Sequence, residues 1–408
     1  MAEWKIYRLG EICDLVAGFA FKSKDFGNYP NKVVKIADIQ PPVVNTNDLV
    51  GVDMSNYDTV KLSKYLVSKG DYVLAMTGAT IGKLGRITDD VEAYINQRVL
   101  TFRPDESIVD KDYLYYQLCS DKFNKYILNH IDSETAQPNI SAGSVGGFEI
   151  SLPSLEEQRR IAGILGAIDD KIECNRRINA NLELQAQALY KQWFVDFEFP
   201  NEDGKPYKSS GGKMIDTELG PIPEGWSVGA LSDLADITMG QSPNGKSFNE
   251  NGEGIVFYQG RTEFGIRYPS IRLYTTEPTR YAEPMSVLLS VRAPVGDINI
   301  ATQKCCIGRG VASIKSKTDD NAYMYCCLKE LRPQLDQYNG EGTVFGSINR
   351  KELEGLALCI PKNEVISQFN NLVLGMDRQM LNLFQQTQNL ATLRDTLLPK
   401  LMNGEIKL

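Results

Sequence analysis

A Trp-led block beginning at Trp4 returns at Trp226, and each copy runs into a long segment with helical periodicity. Trp4, Leu9, Ile12, Asp14 and Gly18 match Trp226, Leu231, Leu234, Asp236 and Gly240 at an offset of 222 residues. The offset then shrinks to 214 at Ala79/Ala293 and Gly82/Gly296, and to 212 where Ile95–Arg103 meets Ile307–Lys315. From Thr135/Thr343 it holds at 208 through Ile140/Ile348, Gly147/Gly355, Ile150/Leu358 and Pro153/Pro361. The second copy has lost loop residues and kept its frame, so both copies are expected to share one fold. A period of about 200 residues is too long for a solenoid unit, which leaves two duplicated modules.

Within each copy, short β-prone runs bounded by Gly or Pro, such as 71–76 and 286–291, alternate with helical stretches such as 112–128. This mixture predicts α+β domains over 1–153 and 226–361. Ser154-Leu155-Glu156-Glu157 has the S-x-x-E form of a capping box, and no proline interrupts the residues that follow it up to the linker. Apolar residues then step by four and three through Ile161, Leu165, Ile168, Ile172, Leu182, Ala186, Leu189 and Trp193, with Asn175 and Asn179 on the same stripe. Phe369, Val373, Met376, Met380, Leu383, Leu390 and Leu397 repeat the steps 208 residues on. The pattern predicts long helices over 154–198 and 362–398 that pair as an antiparallel coiled coil, the two asparagines either setting its register, the favoured reading, or marking where the helices diverge. A helix of about 39 residues at ~1.5 Å each would reach roughly 58 Å. Residues 199–225, rich in Gly, Pro, Ser and charge, are expected to be a linker returning along the pair, and 399–408 a tail.

Charge is uneven. The chain carries a net −8, which opposes indiscriminate polyanion binding by the whole molecule. Residues 255–317 nevertheless hold nine Lys/Arg (Arg261, Arg267, Arg272, Arg280, Arg292, Lys304, Arg309, Lys315, Lys317) against four acids (Glu263, Glu277, Glu283, Asp297). Residues 61–103 hold seven bases against four acids, with Lys22, Lys24, Lys32 and Lys35 upstream. Each copy thus has its own basic region, read either as a solvated surface or as a nucleic-acid footprint. The eight cysteines show no CxxC spacing and read as reduced core residues. His130 is the sole histidine and sits in an apolar-aromatic stretch, so it reads as structural, and no metal-ligand cluster emerges. Nothing in the sequence has transmembrane length or signal-peptide form, so a cytoplasmic protein with no membrane partner is expected.

Motifs that would carry catalysis fail on context. Residues 240–247 spell G-x4-G-K-S, yet a phosphate loop needs a strand before it and a helix after it. The residues after Ser247 are polar and Gly-rich, and Pro243 removes one amide from the cradle. Gln40-Pro41-Pro42-Val43 only faintly echoes the methyltransferase N/D-P-P-aromatic loop, and no Gly-rich AdoMet loop precedes it. Pro104-Asp105 lacks a nearby D/E-x-K partner, the nearest being Asp169 to Lys171 on the first predicted helix. The chain reads as noncatalytic.

Two variable α+β domains, two matched helices, GPIPEGW opening the second copy, GQSPNG after it and PSLEEQRRI leading the first helix together resemble one family. It is the specificity subunit of type I restriction-modification systems, and the resemblance spans nearly the whole chain. It implies that each domain is a target recognition domain reading one half of a split site in double-stranded DNA. It implies that the helices set the spacing and dock two modification subunits that bind AdoMet and methylate adenine. Restriction subunits using ATP and Mg would join that core, and this chain would bind no cofactor itself.

On that reading the side chains expected at DNA are Thr77, Thr80, Lys83, Arg86, Asn96, Gln97 and Arg98 in the first copy, with Arg261, Arg292, Lys304 and Arg309 in the second. Residues 77–80 are matched with 291–294 and 96–98 with 308–310. Asn and Gln suit adenine and Arg suits guanine, while Lys83, Arg86, Arg261 and Lys304 are expected to hold phosphates. The rival readings are an adaptor that displays two protein-binding domains on a helical rod, and a nucleotide hydrolase built on the Gly240 to Ser247 loop.

Overall fold

The computed structural model describes residues 4–132, 138–340, 346–406 and 408. The Thr135/Thr343 pair lies outside them. The chain divides into two compact units, Met1–Ile172 with Asn389–Leu408, and Glu173–Gln388. Each long helix therefore contributes one part to each unit.

Among the described residues the first unit is built on a sheet with strand order Cys13–Ala17, Val99–Pro104, Tyr72–Ala75, Leu84–Arg86, Val43–Val44, Ile39–Gln40. The second unit repeats its beginning as Ala235–Met239, Val311–Ser316, Val287–Ser290, Ile298–Ile300. A second sheet repeats as well, since Phe26–Val34 runs parallel to Ala93–Ile95 just as Ile255–Tyr258 runs parallel to Cys305–Ile307. The middle strands Tyr72–Ala75 and Val287–Ser290 are buried at every position. They read as unbroken apolar runs because both of their faces are covered. Lys5–Arg8 pairs with Glu149–Leu152, and Ser227–Ala230 with Ala357–Ile360, so each domain closes by joining its first strand to its last.

The helical stretch expected over 112–128 is two helices, Lys111–Leu118 and Asp121–Asn129. Ser120 starts the second by accepting the Phe123 amide at 3.3 Å, and such a cap competes with continuing the first helix. Tyr113, Tyr115 and Tyr116 from this pair, and Tyr323 and Tyr325 from the matching Asn321–Glu330 helix, are buried in the two domain cores.

The first long helix spans Leu155–Tyr190 and ends in a π-turn, Lys191–Val195. Ser154 Oγ accepts the Glu157 amide at 3.3 Å, which is half of the expected capping box. The second runs Asn363–Met402. Ile161, Leu165, Ile168, Ile172, Phe369, Val373, Met380 and Leu383 of the expected seam are buried. Leu182, Leu189, Met376, Leu390 and Leu397 are half-buried. Pairing is antiparallel within the second unit, where Asn175 Nδ2 donates to Gln386 Oε1 and Asn179 Nδ2 to the Met380 carbonyl, both at 3.3 Å. Both asparagines thus bond across the seam. In the first unit Arg394 Nη1 donates to Asp169 at 2.9 Å.

Three expectations are corrected. The second helix does not stop at 398 but passes through Pro399, because Leu401 and Met402 are buried in the first unit's core beside Ala162 and Leu165. That burial offsets the one backbone hydrogen bond proline removes. Residues 199–225 are not a loose return but a folded part of the second unit. Phe199 stacks on Tyr207 at 4.7 Å and on Trp226 at 5.0 Å, and Met214–Thr217 pairs with Gly220–Pro223 as a hairpin. Finally, the cysteines are free, but Cys174 is exposed on the first long helix rather than in a core.

Candidate nucleic-acid interface

In each domain the two segments singled out by sequence lie side by side at the end of the main sheet. The hairpin loop after Tyr72–Ala75 closes with Gly82 N donating to the Ala75 carbonyl at 2.9 Å, and the one after Val287–Ser290 with Gly296 N donating to Ser290 O at 3.0 Å. The neighbouring turn reaches each hairpin through one backbone bond: Met76 N to Arg98 O at 2.9 Å, and Val291 N to Gly310 O at 3.0 Å. A third segment crosses beneath. Gly18 N donates to Val99 O and Gly240 N to Val311 O. A Cβ on Gly18 would run into the carbonyl oxygens of Ile95 and Asn96, and one on Gly240 into those of Ile307 and Gly308. Glycine recurs in both copies because only a hydrogen fits this crossing.

These bonds revise the matching of the copies. Thr77 bridges Asn139 and Arg292 bridges Ser347, so Thr77 corresponds to Arg292 and not to Val291. The match of 96–98 with 308–310 stands.

The predicted side chains separate into those free to touch DNA and those already engaged. Lys83, Gln97, Arg98, Arg292 and Arg309 are exposed, on or beside the hairpin and turn. Thr77 is buried with its hydroxyl donating to Pro138 O at 3.0 Å, and Thr80 Oγ1 donates to Thr77 O at 3.2 Å, so both hold the loop's shape. Arg86 is half-buried, ion-paired with Asp112 and set over the Tyr115 ring at 5.3 Å. Asn96 Oδ1 accepts the Gln97 amide at 2.9 Å, which fixes the turn and removes its acceptor from bidentate adenine contact. Arg261 pairs with Asp297, which also accepts Arg332 at 2.9 Å. Lys304 pairs with Glu283 at 3.1 Å and lies at the far end of the Cys305–Ile307 strand from the turn.

The basic excess of the second copy is also partly spent inside. Arg267 is 6 % exposed and bonds Glu183 of the first long helix and, at 2.5 Å, Asp377 of the second. Lys329 reaches Glu183 at 2.6 Å. Burial pushes both carboxyls up, while the cations pull them down. Glu183, held by Arg267 and Lys329, stays below its ordinary value, whereas Asp377 ends above its own. Arg272 is paired with the buried Glu263 at 2.5 Å.

One exposed basic residue was missed by sequence reading as a member of the interface, Arg280. Leu66–Val67 and Tyr281–Ala282 flank the strands Ala93–Ile95 and Cys305–Ile307 in the same way, and Ile307 N donates to Arg280 O at 2.9 Å. Only strand pairing reveals this neighbourhood, since Arg280 and Arg309 are far apart in the chain. The G-x4-G-K-S stretch is a single 3-10 turn, Gly245–Ser247, leading into the strand Phe248–Asn249 rather than a helix. The Ser247 hydroxyl bonds Thr275 Oγ1 at 2.7 Å. His130 is exposed, its ring stacked on Tyr126 at 3.9 Å. Among the described residues no cluster of metal-ligating side chains occurs. Among the same residues no helix is long and apolar enough to cross a membrane.

Comparison with known proteins gives matches along nearly the full length. The model of the type I restriction modification DNA specificity domain matches residues 1–184 and 223–388. A putative type I restriction enzyme specificity subunit of Methanocaldococcus jannaschii is 33% identical over 373 residues, 89% of this chain and 84% of that protein. The HindI specificity subunit of Haemophilus influenzae is 25% identical with all of both chains covered. The crystal structure of a type I restriction-modification S subunit from M. genitalium shares the fold, with a TM-score of 0.59 at 15% identity over 98% of this chain and 96% of that one.

Proposed function

We propose a function from one premise: the chain belongs to the type I restriction-modification DNA specificity family. It is a specificity subunit with two repeated specificity domains. Each domain reads one half of a bipartite site in double-stranded DNA, and the paired helices fix the spacing and dock two modification subunits. Restriction subunits join that assembly. The chain itself is noncatalytic and binds no cofactor: AdoMet belongs to the modification subunits, ATP and Mg to the restriction subunits, and the complex works in the cytoplasm.

One observation supports the reading above the others. The same hairpin and turn recur on the same sheet in both domains, yet they expose different side chains, Lys83, Gln97 and Arg98 against Arg292 and Arg309. A shared backbone with changed side chains suits two readers of two sequences, because base edges are distinguished by donor and acceptor pattern. An adaptor would have no use for exposed arginines that, among the described residues, pair with no carboxylate at that one place. The test is methylation-aware sequencing of DNA from cells expressing this chain with its modification subunit. A split, adenine-methylated motif is expected; an active complex that yields none overturns the proposal.

A further inference from the structure

Three arginines of the second domain, Arg280, Arg292 and Arg309, come from three separate segments that meet around the Ile307–Gly310 turn. Ile307 N donates to Arg280 O at 2.9 Å on one side, and Val291 N, beside Arg292, donates to Gly310 O at 3.0 Å on the other. All three are exposed, and among the described residues no carboxylate pairs with them. This contrasts with Arg261, Arg267, Arg272 and Lys304 of the same domain, each held by an acid. Like charges gathered without counter-charge repel one another, and an anionic or acceptor-rich partner relieves that repulsion.

The first domain fills the matching positions differently. Tyr65 stands where Arg280 does, the buried Thr77 where Arg292 does, and Gln97 where Arg309 does. Arginine presents a two-pronged donor to guanine O6 and N7, and Gln presents a donor and an acceptor to adenine N6 and N7.

Resting on the DNA-reading function above, we infer that Arg309, flanked by Arg280 and Arg292, reads guanine in the second domain's half-site, while Gln97 reads adenine in the first domain's. The arginines on either side hold the turn against the DNA and strengthen its grip. Lysine in place of Arg309 keeps the charge and loses the fork, so charge and base reading can be separated.

The experiment is motif calling by methylation-aware sequencing, in cells carrying the modification subunit, for the wild type and for Arg309→Gln, Arg309→Lys and Gln97→Ala. The wild type should show guanine in one half-site at a position that both Arg309 variants make degenerate, with preference falling roughly 5- to 150-fold. Gln97→Ala should loosen an adenine in the other half only. Guanine kept at full preference in Arg309→Lys, or no guanine in the half that Gln97→Ala leaves intact, overturns the assignment. A wild type with no bipartite motif at all instead overturns the function on which it rests. Should Arg309→Gln fail to accumulate, Arg309→Lys carries the same decision.

Discussion

Arg267 shows how little a residue's charge says about its role. It lies in the most basic stretch of the sequence, yet it is sealed between Glu183 and Asp377 with its guanidinium 4.1 Å from the Tyr325 ring. Removing it strands Asp377 away from water and leaves Glu183 with Lys329 alone, so Arg267→Ala should cost about 3–5 kcal/mol at neutral pH, read from urea midpoints. The deficit should narrow with acid. In the wild type the depressed Glu183 contributes stability above the ordinary glutamate range and loses it as pH falls through its folded value. In the variant Asp377 loses its cation and Glu183 keeps only Lys329, so both bind protons more readily and acid relieves the variant's penalty while it erodes the wild type's advantage. A gap that stays constant as the pH falls from neutrality to below 4.5, the ordinary glutamate value, would contradict this account. The same lesson applies to Arg86 and Thr77, whose types suit DNA but whose partners are Asp112 and Pro138. Lys83, Gln97, Arg98, Arg292 and Arg309 are exposed as the sequence reading requires, because they lie in the loops and turns between short β-prone runs. Arg280 could not be placed from sequence, because its neighbourhood arises from strand pairing.

The elements most legible in the sequence were those with the strongest period. The seam of the long helices followed from steps of four and three, and the capping serine from its S-x-x-E form. Their ends followed less well, because tertiary burial decided them. A proline at 399 reads as a stop, yet Leu401 is 1 % exposed in the first unit's core. Leu401→Ala should therefore lower stability by about 2–5 kcal/mol, measured by thermal or denaturant unfolding. A neutral effect would restore the picture of a loose tail. Residues 199–225 misled in the opposite way. Their Gly, Pro and Ser content signals a linker, but Phe199 and Tyr207 supply the aromatic stack that anchors the segment beside Trp226. Gly, Pro and Ser content counts for flexibility and takes no account of three aromatic side chains that can stack on one another.

For the whole molecule, duplication governs both fold and function. The shrinking offset from 222 to 208 marks where the second copy shortened its loops, and the repeated strand order shows that the first four strands of the sheet were kept. Each unit takes the first part of its own helix and the far end of the other, so neither unit is built from one copy alone. What sequence alone misjudged at this scale was the register between the copies at the hairpin, where Thr77 faces the position of Arg292. The central claim is one domain for one half-site. It is tested by exchanging residues 226–361 for the corresponding domain of a relative and sequencing the methylated motif in cells that hold the modification subunit. One half of the motif should change while the other half stays as in the wild type. A change in both halves, or in neither from an active complex, would contradict it.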